Sequence, residues 1–324
     1  MTARRQLARA VAAPSAARML QAGLGATALR AALGALALCA LLPAQGAILD
    51  VLDGETLYDG GFLFTLGQEW QRRERLRNSS DHVADPQARH ELERGTTMGL
   101  QYGLRHDLQL GIAISWQHTD SVAAGAEAHA DGFGDLELLA KYRFLRLDDV
   151  GVATNFAVLG GVTLPTGDDD QRSGGVELPP ELQPGSGGID PMFGVAVTHE
   201  PGRWRFNAAT MLQLHTDSDG DGDRPGDELV VELAAGNRFW LEPYPGPFMR
   251  LDLVLRYYRE DHDHMDGTLP DTGGERGTVG LNYAFRPRPS LDFQLYVEAP
   301  YAQHVNGTQL GDDWRVDVTF GYRF

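Results

Sequence analysis

The stretch Asp217–Glu228, DSDGDGDRPGDE, sets Asp217, Asp219 and Asp221 at alternate positions ahead of Gly222 and closes on Glu228. Calcium takes several hard oxygens, and alternate acids around a sharp glycine turn supply them, so this spacing is that of a calcium loop. The flanking sequence has the period of strands rather than helices, which leaves a solvated acidic loop as the other reading. Asp261-His262-Asp263-His264 offers imidazole and carboxylate to a transition metal, but as a loop without a fixed partner it reads better as solvated polarity. His215, two residues before Asp217, is the one imidazole that suggests a lipase or protease site, and no nucleophile stands beside it. G-x-S-x-G, H-E-x-x-H and a phosphate-binding glycine loop are all missing from the sequence. The expectation is a protein that is not an enzyme, with no cofactor beyond possible calcium.

A larger set of charged residues recurs opposite apolar faces. In Gly134–Phe144 the outward side of a strand carries Leu136, Leu138, Ala140, Tyr142 and Phe144, and the other side Asp135, Glu137, Lys141 and Arg143. Extending the same period along the chain puts Arg205, Glu232, Arg238, Arg250, Asp252 and Arg256 on inner faces. Arg276, Asp292, Arg315 and Asp317 follow in the last three strands. An enclosed face of this kind either forms a constriction that selects solutes by charge and width, or is a network that satisfies its own charges in a filled interior.

These side chains need strands of bilayer-spanning length to position them. The final segment, Trp314–Phe324 (WRVDVTFGYRF), alternates Trp314, Val316, Val318, Phe320, Tyr322 and Phe324 with Arg315, Asp317, Thr319, Gly321 and Arg323. About twelve such segments follow one another from Gly61. They are Gly61–Gln71, Gly95–Leu104, Leu108–Gln117, Gly134–Phe144, Gly151–Leu164, Ile189–His199, Trp204–His215, Leu229–Trp240, Phe248–Glu260, Arg276–Phe285, Leu291–Ala299 and Trp314–Phe324. Connectors alternate in length. Short ones fall at 105–107, 145–150, 200–203, 241–246 and 286–290, and long ones at 72–94, 118–133, 165–188, 216–228, 261–275 and 301–313. A soluble β-sandwich has no reason to keep that parity. An antiparallel up-and-down transmembrane β-barrel does, with both termini and the short turns on the periplasmic side. Trp70, Trp116, Trp204, Trp240, Trp314 and Tyr257-Tyr258 near strand ends suit interfacial girdles.

The first 46 residues carry Arg4, Arg5, Arg9, Arg18 and Arg30, no acid, and an apolar run over Ala31–Leu42. The run is too short for a spanning helix, and Ala44-Gln45-Gly46 suits cleavage, so 1–46 reads as a signal peptide and 47–324 as the barrel. The chain's one cysteine, Cys39, lies within that leader, so disulfides and thiolate metal sites are excluded from the remainder. The formal net charge is −17, which makes nucleic acid a poor partner. Polarity of the chain as a whole does not argue against a barrel, because only alternate residues meet lipid.

The terminal strand ending on Phe324 resembles the last strand of Gram-negative outer-membrane barrels, which implies outer-membrane lipid and the barrel-assembly machinery as partners. Gly132–Phe144 (GFGDLELLAKYRF), Leu164–Asp168 (LPTGD) and Gly185–Val197 (GSGGIDPMFGVAV) together resemble the meta-pathway phenol-degradation family of outer-membrane proteins. That resemblance extends loosely over the chain after the leader and implies passage or binding of small molecules, hydrophobic or aromatic ones among them. It carries over no substrate residue. A plugged structural or surface-interaction barrel and a barrel enzyme remain the alternative functions.

Overall fold

In the computed structural model, residues 52–173, 175–178, 182–216, 223–265 and 267–324 are described, and the sixteen strands among them leave no helix beyond a single helical turn residue. In chain order they are β1 (Phe62–Asn78), β2 (Asp81–His82), β3 (His90–Arg105), β4 (Leu108–Ala123), β5 (Ala126–Phe133), β6 (Leu136–Asp149), β7 (Val152–Leu164) and β8 (Arg172–Ser173). The second half holds β9 (Val176–Glu177), β10 (Asp190–Pro201), β11 (Trp204–Gln213), β12 (Glu228–Leu241), β13 (Phe248–Glu260), β14 (Gly274–Arg288), β15 (Leu291–Val305) and β16 (Thr308–Arg323). Twelve of them form an antiparallel wall, all except β2, β5, β8 and β9, and β16 pairs back onto β1 to close it. The proposed leader lies outside the described residues.

Alternation is inverted relative to a soluble protein. Along β13, Arg250, Asp252, Val254, Arg256, Tyr258 and Glu260 are buried while Leu251, Leu253, Leu255 and Tyr257 are exposed. That is the pattern of a wall with lipid outside and a shared interior within. Closure also uses the aromatic end of the chain: Phe62 donates its amide to Phe324 O (2.8 Å), Phe324 donates back to Phe62 O (3.1 Å), and the two rings stack at 5.3 Å.

Both termini of the wall and the turns at 106–107, 150–151, 202–203, 242–247 and 289–290 lie at one end, here the turn end, and the remaining connectors at the loop end. Several strands run further than the sequence period indicates. Tyr301–Asp313 is not a long connector: β15 continues to Val305, Asn306-Gly307 turns, and β16 starts at Thr308. The connector over 118–133 is a hairpin of β4 with β5, turned at Ala124-Gly125, where φ is +52° and +76°. The connector over 72–94 is largely the extension of β1 and β3, and the one over 145–150 is strand up to Asp149. The cause is that strand pairing outlasts the bilayer: Trp70, Trp116 and Trp314 sit well inside β1, β4 and β16, and beyond them the buried face is largely polar, with Gln71, Arg73, Ser121 and Gln309, so no period of two in hydropathy marks the strand. Cross-strand polar contacts such as Arg75 with Asp313 (2.9 Å) and Asn78 with Thr308 (2.6 Å) hold these extensions, together with small buried apolar contacts such as Leu76 with Leu310.

Candidate functional site in the barrel interior

The inner faces of β12 to β16 and β1 form an ionic wall. Arg256 Nε lies 2.7 Å from Glu232, and its guanidinium is 3.9 Å from Glu298 and 4.6 Å over the Tyr296 ring. Tyr296 and Thr278 donate hydroxyls to Glu298 at 2.7 and 2.8 Å. Arg315 bridges Glu69 and Asp317, each at 3.0 Å, and Arg250 is 2.7 Å from Asp252, which also accepts from Asn282. Towards the loop end Arg276 meets Asp312 at 2.9 Å across the Tyr258 ring, and at the turn end Asp292 takes both Arg286 and Arg323. Arg73, which the sequence reading left in a connector, is buried against Glu91, Glu93 and Asp312. Each buried cation here faces carboxylates supplied by its own or neighbouring strands, the arrangement that burial of charge requires.

The opposite inner wall, here the apolar wall, carries an apolar cluster between buried polar residues such as Asn155, Thr198 and Arg205. Leu139 on β6, Leu159 on β7, Met192 and Ala196 on β10, and Ala209 and Met211 on β11 cluster inside the barrel. Leu52 completes the cluster from outside the wall, 4 % exposed. Residues 52–61 enter the interior at the turn end as a strap ahead of β1. Gly54 donates its amide to Thr198 Oγ1 (2.9 Å), Leu57 its amide to Gln109 Oε1 (2.9 Å), and Tyr58 its hydroxyl to Phe324 O (3.0 Å). The strap presses on backbone: a Cβ on Gly54 would come within 2.6 Å of Asn155 O, and one on Gly103 within 2.1 Å of Tyr58 O. These are the positions where glycine is needed for close approach rather than for an unusual φ.

Charge fixes the strap next to its apolar contact. Lys141 Nζ is 2.7 Å from Asp53 Oδ1, and Arg205 holds Asp53 Oδ2 at 2.8 Å and Glu55 at 2.9 Å, with Glu200 3.8 Å away. Burial pushes the Asp53 carboxyl up, but Lys141 and Arg205 outweigh it and hold the group below the ordinary carboxylate range. Burial also dominates at Glu55, where a share of Arg205 does not compensate, and its carboxyl is pushed up. Arg238 pairs with Glu200, and Arg143 donates to Asn155 Oδ1 and His106 O. Beside the strap lies a cavity of about 430 Å³, lined by Gln101, Gln109, Lys141, Gln294, Arg286 and Arg323 and reaching Tyr244 and Pro289 at the turn end.

The loop end holds the remaining candidates. Asp135 sits where β5 bends into β6, and its carboxylate accepts from the amides of Thr166, Gly167 and Ser186 and from the Ser186 hydroxyl, pinning the 165–189 connector. Glu137 is half-buried on β6. His215 Nδ1 donates to Gly226 O (2.8 Å), and its other nitrogen is 3.9 Å from Asp190; the Ser186 hydroxyl goes to Asp190 and Asp135, not to this imidazole. His215 is therefore a loop fastener in this geometry. Asp263 of the Asp-His-Asp-His stretch is fully buried, accepts the Gly226 amide (2.8 Å) and donates its own to Thr272. Asp217, Asp219 and Asp221 lie outside the described residues. Glu228 is the first residue of β12, buried, with its backbone paired to Gln213 and Glu260. Among the described residues no group of three or more His, Cys, Asp or Glu is arranged to hold a metal ion.

The sequence reading found most of the ionic wall but neither the apolar wall nor the strap. It searched inner faces for charge, so Leu159, Met192 and Met211 passed as ordinary strand residues. The readable signal for the strap was Asp53-Gly54-Glu55, a small residue between acids in a stretch ahead of the first strand, matched by the inner-face bases Lys141 and Arg205.

Residues 87–303 match the family model described as "Putative MetA-pathway of phenol degradation", more than half of the chain. The chain belongs to this family. Among solved structures, the COG4313 outer membrane channel from Pseudomonas putida F1 shares the fold at TM-score 0.66 and 16% identity, over 85% of this chain and 99% of that one. The β domain of the Bordetella autotransporter BrkA aligns with TM-score 0.49 and 13% identity, over 82% of this chain and 100% of that one. No curated protein matches the sequence. With its closed twelve-strand wall, the chain shares the transmembrane β-barrel fold of that outer membrane protein.

Proposed function

We propose that this barrel carries small molecules, apolar and aromatic ones among them, passively across the outer membrane, and that the strap at residues 52–61 sets how far the interior is open. The observation that carries this reading is the apolar inner wall completed by Leu52. A barrel built only for stability gains nothing from an apolar interior surface that must be covered by a segment outside the wall, whereas a passage for apolar solutes needs such a surface and a way to uncover it. The cavity beside the strap gives solutes a polar vestibule at the turn end, and the P. putida protein of the same fold is itself named a channel.

The test is single-channel recording of the refolded protein in planar bilayers beside its Gly54→Ala variant, followed by addition of phenol. Small stable conductance in the wild type, a several-fold larger one in the variant and a reduction by phenol are expected. Folded barrels that never conduct in either form would remove the passage reading and leave the plugged structural barrel, which the many internal ion pairs of the ionic wall favour.

A further inference from the structure

We propose that the seat filled by Leu52 and Asp53 is a binding site for a small organic carboxylate with an apolar body, and that the strap occupies it as an internal stand-in for such a ligand. This rests on the reading of the barrel as a passage and names the cargo class for it. The two halves of the seat differ in chemistry but adjoin. Leu52 is buried in one apolar cluster with Leu139, Leu159, Met192 and Met211. The next residue places a carboxylate between two cations, 2.7 Å from Lys141 Nζ and 2.8 Å from Arg205. Leu52 and Asp53 are adjacent in the chain, with Cα atoms about 3.8 Å apart, so an occupant that satisfies both halves is one compact molecule with an apolar body and a carboxylate at its end.

Charge decides between a neutral and an anionic occupant. Among the described residues, Asp53 is the carboxylate that meets Lys141, and it takes one arm of Arg205. When the strap leaves, a neutral aromatic covers the apolar hollow but leaves the Lys141 ammonium in the interior with its counter-charge gone, an unfavourable state for a buried ion. An apolar carboxylate replaces both contacts at once, with a charge-assisted pair at Arg205 of the kind guanidinium groups favour. The approach is suited to an anion as well. The adjoining cavity presents Arg286 and Arg323, which share the single carboxylate of Asp292, so their charge exceeds it by one once the strap takes Asp53 and Glu55 out of the same lining.

Competition with the strap sets the measurable consequence, because a ligand that binds only the strap-free form has its apparent affinity reduced by the fraction of molecules in that form. The full-length refolded protein is titrated calorimetrically with benzoate, with benzamide as the neutral isostere and with acetate as a carboxylate lacking the apolar body. Correct folding of every variant is checked by heat-modifiable migration on gels. Benzoate is expected to bind ahead of both controls in the wild type. In Asp53→Asn, which weakens the internal competitor, its affinity rises by about tenfold or more, and benzamide gains by the same factor but stays weaker than benzoate. Arg205→Gln and Lys141→Met are expected to bring benzoate down to the level of benzamide.

Equal binding of benzoate and benzamide in folded Asp53→Asn protein overturns the proposal, as does an unchanged benzoate affinity on that substitution. If acetate matches benzoate, the apolar half of the seat plays no part and the proposal also fails. Conductance recorded on the same samples keeps the two conclusions apart. A conducting barrel that does not distinguish benzoate sinks the ligand class alone, and a silent barrel that binds benzoate sinks passage alone.

Discussion

The two inner walls of this barrel solve the problem of an enclosed surface differently. On the ionic wall, formed by β12 to β16 and β1, Arg256, Arg315 and Arg250 meet acids from the same or adjacent strands, so it is complete once the barrel closes. On the apolar wall of β6, β7, β10 and β11, completion depends on Leu52, and the cations nearest to it, Lys141 and Arg205, depend on Asp53 and Glu55. A self-sufficient wall holds shape. A wall finished by a segment from outside the sheet can be finished by something else.

If that contrast is right, substitutions on the ionic wall damage the barrel and substitutions around the strap alter access. The largest effect is expected from Arg256→Met, which leaves Glu232 and Glu298 buried without their shared cation; breaking one side of a buried pair costs about 3–5 kcal/mol. Urea unfolding of the barrel in detergent, followed by the loss of heat-modifiable migration, should show the midpoint falling accordingly. A change of under about 1 kcal/mol would mean the interior is wet enough to screen these charges, and the walls would then not differ in kind.

Next comes Met192→Ala on the apolar wall, where the side chain is 1 % exposed. Large-to-small changes at buried positions cost about 2–5 kcal/mol, with the low end expected here because Leu52 can settle into the space. The same variant should conduct more than wild type, since the hollow it opens is next to the strap. Loss of stability with no change in conductance would make this wall plain packing.

How much of this was legible in the sequence follows from what each region buries. β13 was readable to its ends, because lipid outside and charge inside impose a period of two along its whole length. The hairpin tips beyond Trp116 and Trp314 were not, because small and polar side chains such as Ser121 and Gln309 are buried there and pairing leaves no trace in hydropathy. Arg315 and Asp317 stood out as charges opposite an apolar face. Met192 and Met211 could not, because an apolar residue facing an interior looks the same as one facing lipid until the register is known. Residues 52–61 carry no period at all, and only their complementarity to Lys141 and Arg205, distant in sequence, marks them.

Gly54→Ala should leave the wall intact and unseat the strap, because the added methyl carbon meets the Asn155 carbonyl at 2.6 Å, where backbone cannot give way. Unfolding is expected to shift by less than about 1 kcal/mol, because only the docking of the strap is lost and the wall stays paired, while conductance rises several-fold. A variant that unfolds early without conducting more would place the strap among the elements that hold the barrel together, and erase the distinction between the walls.

The smallest effect belongs to Glu55→Gln, and its value lies in sign. The Glu55 carboxyl is pushed above its ordinary 4.5, so its seated form is favoured when protonated; that contribution is present below 4.5 and is lost as pH rises through the raised value. Asp53 is held below its ordinary 3.8, so its contribution is present above 3.8 and is lost as pH falls through the lowered value. Wild-type conductance is therefore expected to fall on acidification from neutral as Glu55 takes up a proton and the strap seats more firmly, then to rise again below 3.8 as Asp53 releases Lys141 and Arg205. In Glu55→Gln the first limb should vanish and the second remain, read by single-channel recording across that range. A flat profile in the wild type would show that the strap is not seated by these charges, and that the apolar contact of Leu52 alone keeps it in place.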